Sequence, residues 1–283
     1  MDAVADFLST GAATVLAGVF GALWGSFFNV VIARLPRGES VVRPGSRCFA
    51  CGTPVRPWDN IPILSYFLLR GRCRHCGARF SIRYALVEAL TAVLAAAIFW
   101  KVAGAGAGLD TGQPVAVRLG RFALYFTLAG ALIVLAFIDL DTKRLPDVIT
   151  LPGIAVFFLG AFAAHDVSWK ERAIGVAAGY LFFRLISDFY YYVLKREGLG
   201  LGDGKLFAMI GAVFGWRALP IVLFVASILG SIVSIPILVA SRKDAEAPSL
   251  RRIQVPFGPF LAAGALVYLF AGAAIWALLI PGD

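Results

Sequence analysis

Two short acidic clusters border long apolar runs in this chain. One, AFIDLDTKRLPDVITLP, carries Asp139, Asp141 and Asp147; the other, EGLGLGDGKLFAMIGAVFG, carries Asp203 directly after a run of glycines. Charge beside an apolar stretch is costly and marks a functional candidate. Two carboxylates sharing one site cannot both ionise easily, so such a pair holds a single proton. That arrangement suits peptide hydrolysis: the ionised member takes a proton from water while the protonated one polarises the scissile carbonyl. Asp203 is expected at a helix N-terminus, where the dipole favours its charged form, making it the expected base of a pair that titrates as a unit. Asp141, followed by Thr142, Lys143 and Arg144, reads as a solvated loop charge.

The glycines Gly198, Gly200, Gly202 and Gly204 invite comparison with a phosphate loop, since glycine loops before helices bind anions. A Walker loop needs glycine at 199 and Ser or Thr at 206, where this chain has Leu199 and Leu206. A dinucleotide loop also fails, because the glycines alternate and follow no strand. They are expected to let backbone and substrate approach Asp203 closely.

All four cysteines lie in one polar stretch, as two C-x-x-C knuckles, Cys48/Cys51 and Cys73/Cys76, 21 residues apart. Each knuckle can present two thiolates to one tetrahedral ion, and Gly52 and Gly77 directly after them permit tight turns. The spacer is one residue beyond the usual range for such sites. Two disulfides are the alternative in an oxidising compartment. Zinc is the natural ion, with a structural role, since four protein ligands leave no open position. His75, inside the second knuckle, reads as an exposed loop residue. The many arginines around the knuckles suit anionic lipid headgroups or an acidic cofactor.

The elements that position these residues are membrane helices. Hydrophobic residues make up 60% of the chain and charged ones 15%, with a mean hydropathy of +0.83, which excludes a soluble domain. On a ruler of about 20 apolar residues per span, eight runs appear, near 7–33, 84–103, 119–138, 148–164, 172–194, 204–215, 218–240 and 256–280. The sixth is short and Pro220 follows it, so runs six and seven could instead form one broken helix. The first run is too long for a signal peptide and reads as a retained anchor. Nineteen Lys and Arg residues fall in segments on one side of this topology and six on the other. By the enrichment of basic residues in cytoplasmic loops, the N-terminus faces outward and the cysteine segment faces the cytoplasm, where disulfides are disfavoured. The same distribution explains the formal charge of +9 without nucleic acid. The glycine-rich stretch 104–114 reads as a flexible outer loop. Arg184 and Asp188, four apart, can pair on one helix face. Gly25, Ser26, Asn29 and Arg34 interrupt the first run, and packing and catalysis are comparably good readings of them.

The chain resembles the type IV prepilin peptidase family, the bifunctional leader peptidase and N-methyltransferase of type IV pilus and type II secretion systems. The resemblance rests on GSFFNVVIARLP at 25–36, NIPILSYFLLRGRCRHC at 60–76, IDLDTKRLPD at 138–147 and GLGLGDGKLFAMIGA at 198–212. It implies that Asp139 and Asp203 are the catalytic aspartates. Asp147, Lys205, Gly200 and Gly202 take supporting roles, with Lys205 placed to bias the pair electrostatically. The implied substrate is a prepilin or pseudopilin, cut after glycine on the cytoplasmic side of its hydrophobic helix, then methylated with S-adenosylmethionine. The residues binding that cofactor carry no readable motif.

The expected architecture is an all-α protein of the bacterial inner membrane with a small cytoplasmic zinc-ribbon-like domain built on the four cysteines. Residues 1–35 form the first helix, 36–83 the zinc domain associated with methyl transfer, and 84–283 the membrane peptidase. A peptidase without methyltransferase activity is one alternative. An ion-coupled transporter is the other, and it leaves the knuckles unexplained.

Overall fold

The computed structural model describes residues 3–106, 112–164, 167–193, 195, 200–241 and 255–279. Gly198, the centre of the 104–114 stretch and the basic residues Arg196, Arg242, Lys243, Arg251 and Arg252 lie outside them. Ten α-helices are described: α1 (Ala3–Leu8), α2 (Gly11–Arg34), α3 (Leu64–Leu68), α4 (Arg83–Val102), α5 (Val115–Thr142), α6 (Asp147–Gly160), α7 (Trp169–Val193), α8 (Leu201–Phe214), α9 (Ala218–Ser241) and α10 (Gly258–Leu279). Eight of them correspond to the eight apolar runs. Six, α2, α4, α5, α7, α9 and α10, are long and apolar enough to cross a membrane. The other two, α6 and α8, have 14 residues each, about 21 Å of helix against a hydrocarbon core of about 30 Å. Eight apolar runs therefore give six candidate crossings.

Local chemistry sets the boundaries. Phe7 and Leu8 belong to the separate helix α1, and α2 begins afterwards with Thr10 as its N-cap, its hydroxyl accepting from the Ala13 N–H. Gly215, at φ +75°, ends α8, and α9 starts at Ala218, so runs six and seven are distinct helices. The third run extends to Thr142, which puts Asp139 and Asp141 inside the last turn of α5 instead of beyond it. Pro146 caps the start of α6.

The chain divides into two compact units, Met1–Val134 and Leu135–Asp283, with the division inside α5. In the first unit, α2 packs on α4. Ala13, Ala17, Gly21, Gly25 and Asn29 recur every four residues as the buried edge of α2. A Cβ on Gly25 would lie 2.7 Å from the Glu88 Cα, so the two backbones meet closely there. In the second unit, α7 packs on α8, α6 on α8 and α9 on α10. The α7–α8 contact is closest at Gly175 and Gly211, where a Cβ on Gly211 would lie 2.5 Å from the Gly175 carbonyl oxygen.

That contact has no room for a side chain. Replacing Gly211 by Val is expected to cost about 1–3 kcal/mol through forced separation of the helices, read as a lower Tm in detergent. Gly45→Ala, at a position with open space around it, is expected to leave Tm unchanged.

Candidate active site and metal centre

Asp139 lies in the last turn of α5 and is 5% exposed. A buried carboxylate needs a hydrogen-bond donor, and this one has the backbone of Gly258, whose N–H donates to Asp139 Oδ2 at 3.0 Å. Gly258 is the first residue of α10, and its N–H is one of those that a helix start leaves without an intrahelical partner. A Cβ at Gly258 would lie 2.7 Å from Asp139 Oδ2. Glycine is thus required for this contact by space alone.

Asp203 lies in the first turn of α8, whose N-cap is Gly200. Its N–H donates to the Gly200 carbonyl at 3.1 Å, and a Cβ on Gly200 would lie 3.4 Å from Asp203 Oδ2. The charge of Asp139 is one of the influences acting on Asp203. Both segments also close on Leu145, in the turn between α5 and α6: a Cβ on Gly202 would lie 3.1 Å from its Cβ, and one on Gly258 3.4 Å from its Cδ2. The last turn of α5, the first turn of α8 and the start of α10 thus converge.

Asp147, the first residue of α6, accepts from Lys205 Nζ at 2.6 Å. The cation expected to act on the aspartate pair is therefore engaged with Asp147, where it ties α6 to α8. Asp141 is exposed. Arg184 and Asp188 form an exposed ion pair at 2.9 Å on α7, the structural pairing their spacing suggests.

In the first unit, the sulfurs of Cys48, Cys51, Cys73 and Cys76 all lie within 4.8 Å of one another, a set able to hold a metal ion. Cys48 Sγ and Cys76 Sγ are 3.8 Å apart. Zinc–sulfur bonds of about 2.3 Å in a tetrahedron place the sulfurs roughly 3.8 Å from one another. The two knuckles have matching frames. The Cys48 N–H donates to the Thr53 carbonyl at 2.9 Å and the Cys73 N–H to the Ala78 carbonyl at 2.8 Å. The turns close at Gly52 (φ +70°) and Gly77 (φ +72°), conformations that glycine adopts without penalty. Thr53, through side-chain and backbone hydrogen bonds, draws the Cys51 thiol down to about 6, while desolvation and the three neighbouring thiols push Cys76 up to about 11. Arg74 grips Asp59 with both Nε and Nη2, and this hydrogen bonding holds the Asp59 carboxyl below its usual range.

Of the four polar or small residues that interrupt α2, Gly25 serves packing. Arg34 donates to the carbonyls of Ser40, Pro44 and Gly45, fixing the loop after the helix. Asn29 is buried and donates from Nδ2 to the Tyr84 carbonyl at 3.0 Å. Two residues escaped the sequence reading. Gly258 sits in an apolar PFGPF context that resembles any helix start, and Glu88, buried on α4, is a charge inside an apolar run that the rule on intramembrane charges would have flagged.

Residues 19–102 match the Bacterial Peptidase A24 N-terminal domain, and residues 126–235 match the Type IV leader peptidase family. A Burkholderia pseudomallei protein described as a prepilin leader peptidase/N-methyltransferase is 36% identical over 301 residues, covering 96% of this chain and 90% of its own. Proteins of the same description from Pseudomonas putida and Neisseria gonorrhoeae are each 34% identical, covering 93% of this chain and 92% of theirs. No solved structure matches the chain significantly. Similarity of this extent, along nearly the whole of both chains, places this chain in the type IV leader peptidase family.

Proposed function

We propose that Asp139 and Asp203 are the catalytic pair with which this multi-pass inner-membrane enzyme removes the leader from type IV prepilins or type II secretion pseudopilins. The same chain then N-methylates the new N-terminus, with S-adenosylmethionine as donor. The observation that carries the peptidase assignment is the convergence of the α5 end, the α8 start and Gly258 around two carboxylates. A pair so placed holds one proton. Asp139, whose Oδ2 accepts the Gly258 N–H, takes the ionised role and draws a proton from the attacking water. Asp203, which bears the charge of Asp139 beside it and has no such donor among the described residues, carries the shared proton toward the scissile carbonyl oxygen. As the C–N bond breaks, Asp139 passes its proton to the leaving amine and a hydroxyl of the tetrahedral intermediate returns one to Asp203, so the pair regains its starting state.

Gly200 leaves the approach to Asp203 free of a side chain, which suits an extended peptide segment, and Gly202 lets Leu145 close on the α8 start. Asp147 and Lys205 hold α6 against α8 and so keep the α8 start in place. The cysteine cluster fits zinc in charge, number and spacing, and Cys48, Cys51, Cys73 and Cys76 would hold the ion as a structural centre in the segment associated with methyl transfer, 36–83. The active site and this segment are assigned to the cytoplasmic side, on the strength of the basic residues in the segments flanking them. The N-terminus is correspondingly assigned to the outside.

Purified enzyme incubated with prepilin and S-adenosylmethionine, followed by mass spectrometry, tests the assignment. Asp139→Asn and Asp203→Asn are each expected to slow leader removal by about 10³-fold or more, whereas Asp141→Asn leaves it unchanged. Gly258→Ala is expected to slow it by roughly tenfold to hundredfold, because the added methyl displaces Asp139. Normal cleavage by either asparagine variant would remove the pair from the mechanism.

Metal analysis checks the second assignment. About one zinc per chain is expected, and Cys48→Ser should release most of it. A metal-free chain with disulfide-linked cysteines would contradict the zinc site.

A further inference from the structure

The first unit contains a cavity of about 390 Å³ between α2, α4 and the metal-binding segment, lined by Ser26, Asn29, Arg37, Tyr66, Tyr84 and Glu88 among others. Its volume is in the range of small-molecule sites. The feature that calls for explanation is Glu88, 9% exposed in the second turn of α4. One of its oxygens, Oε2, accepts from the Ile63 N–H at 2.7 Å, and Ser26 lines the same cavity. Among the described residues no cation pairs with it. Buried carboxylates are ordinarily paired with a cation or bound to a metal, because neutral donors only partly offset the loss of water.

The backbone facing Glu88 is held in an unusual shape. Ile63 has φ +65° and ψ −55°, a region that a β-branched residue occupies only under constraint. The Leu64 N–H closes a three-residue turn onto the Pro62 carbonyl at 2.6 Å, and the same turn aims the Ile63 N–H at Glu88. Asn29, 8% exposed, spends its amide on the Tyr84 carbonyl, and among the described residues its carboxamide oxygen, beside the cavity, has no hydrogen-bond partner. A buried acceptor carboxylate, an amide oxygen, a guanidinium and two tyrosine rings thus line one chamber.

We propose that this chamber binds the methyl donor, with Glu88 facing its sulfonium and amino-acid ammonium charge. The inference rests on the methyl-transfer reading given above and extends it to particular residues. A sulfonium is a permanent cation, and it supplies what Glu88 lacks. Arg37 suits the carboxylate at the other end of the amino-acid portion, and the Tyr66 and Tyr84 rings suit a flat purine. On transfer, the N–CH₃ bond forms as the S–CH₃ bond breaks; the electron pair leaves on neutral sulfur and the amine's proton passes to water. The product thioether has lost the sulfonium charge, so a carboxylate that recognises it favours donor over product.

Isothermal titration of the full-length protein in detergent, with S-adenosylmethionine and separately with S-adenosylhomocysteine, tests the proposal. Glu88→Gln keeps an oxygen for the Ile63 N–H and is expected to retain leader cleavage, which serves as the check on folding. It should weaken S-adenosylmethionine binding by roughly tenfold to hundredfold and weaken S-adenosylhomocysteine binding distinctly less. Unchanged donor affinity in Glu88→Gln, or equal weakening of both ligands, overturns the role of Glu88 while leaving methyl transfer intact. A wild-type protein that binds neither ligand overturns the methyl-transfer reading together with the proposal. Should Glu88→Gln not fold, Arg37→Gln replaces it in the same titration: comparable weakening of both ligands, which share the amino-acid carboxylate, supports the chamber, and unchanged affinity for both overturns it.

Discussion

A carboxylate buried in an apolar helical frame must find a donor, and for Asp139 that donor is the first N–H of another helix. The Gly258 amide meets Asp139 Oδ2 at 3.0 Å across 119 residues of sequence. Two deficits cancel in that bond: the helix start has an N–H with no intrahelical partner, and the acid has lost its water. The contact fixes where α10 must begin and excludes any side chain at its first position. It also makes the two candidate catalytic acids equivalent in one respect, since Asp139 meets the start of α10 and Asp203 lies at the start of α8. Each therefore feels the positive end of a helix dipole, while their mutual repulsion opposes full ionisation of both.

Around this bond the second unit reads as a set of restraints on two short helices. With 14 residues each, α6 and α8 are shorter than the six long apolar helices, so length alone fixes the depth of their ends less firmly. The Asp147–Lys205 ion pair and the glycine contact between α7 and α8 supply the positioning instead. An ion pair partly exposed to water contributes little stability, and its value here is geometric. In the first unit the same economy of small residues brings α2 against α4, and Glu88 ends up beside a chamber large enough for a ligand.

Much of this was legible in the sequence. The eight apolar runs mark eight helices, because lipid-facing and protein-buried positions alike demand apolar side chains. Asp139, Asp203 and the four cysteines stood out because their residue types are costly or scarce in such a chain. What periodicity could not supply was depth and partnership. Hydropathy does not separate a 14-residue helix in a bundle from a spanning one when apolar loops flank it. Lys205, expected to act on the aspartate pair, is engaged with Asp147, 58 residues away in the chain. Gly258 was invisible because a backbone N–H leaves no mark on residue type. Glu88 was visible as a charge within an apolar run, yet only the structure reveals that no cation among the described residues pairs with it.

The central claim is that Asp139 and Asp203 act as one unit, and a double-substitution cycle addresses it most directly. Leader cleavage would be followed in single-turnover reactions with Asp139→Asn, Asp203→Asn and the double variant. Residues that share one proton fail together, so the double variant should be no slower than the slower single one. Rate losses that multiply would show two independent groups and contradict the account.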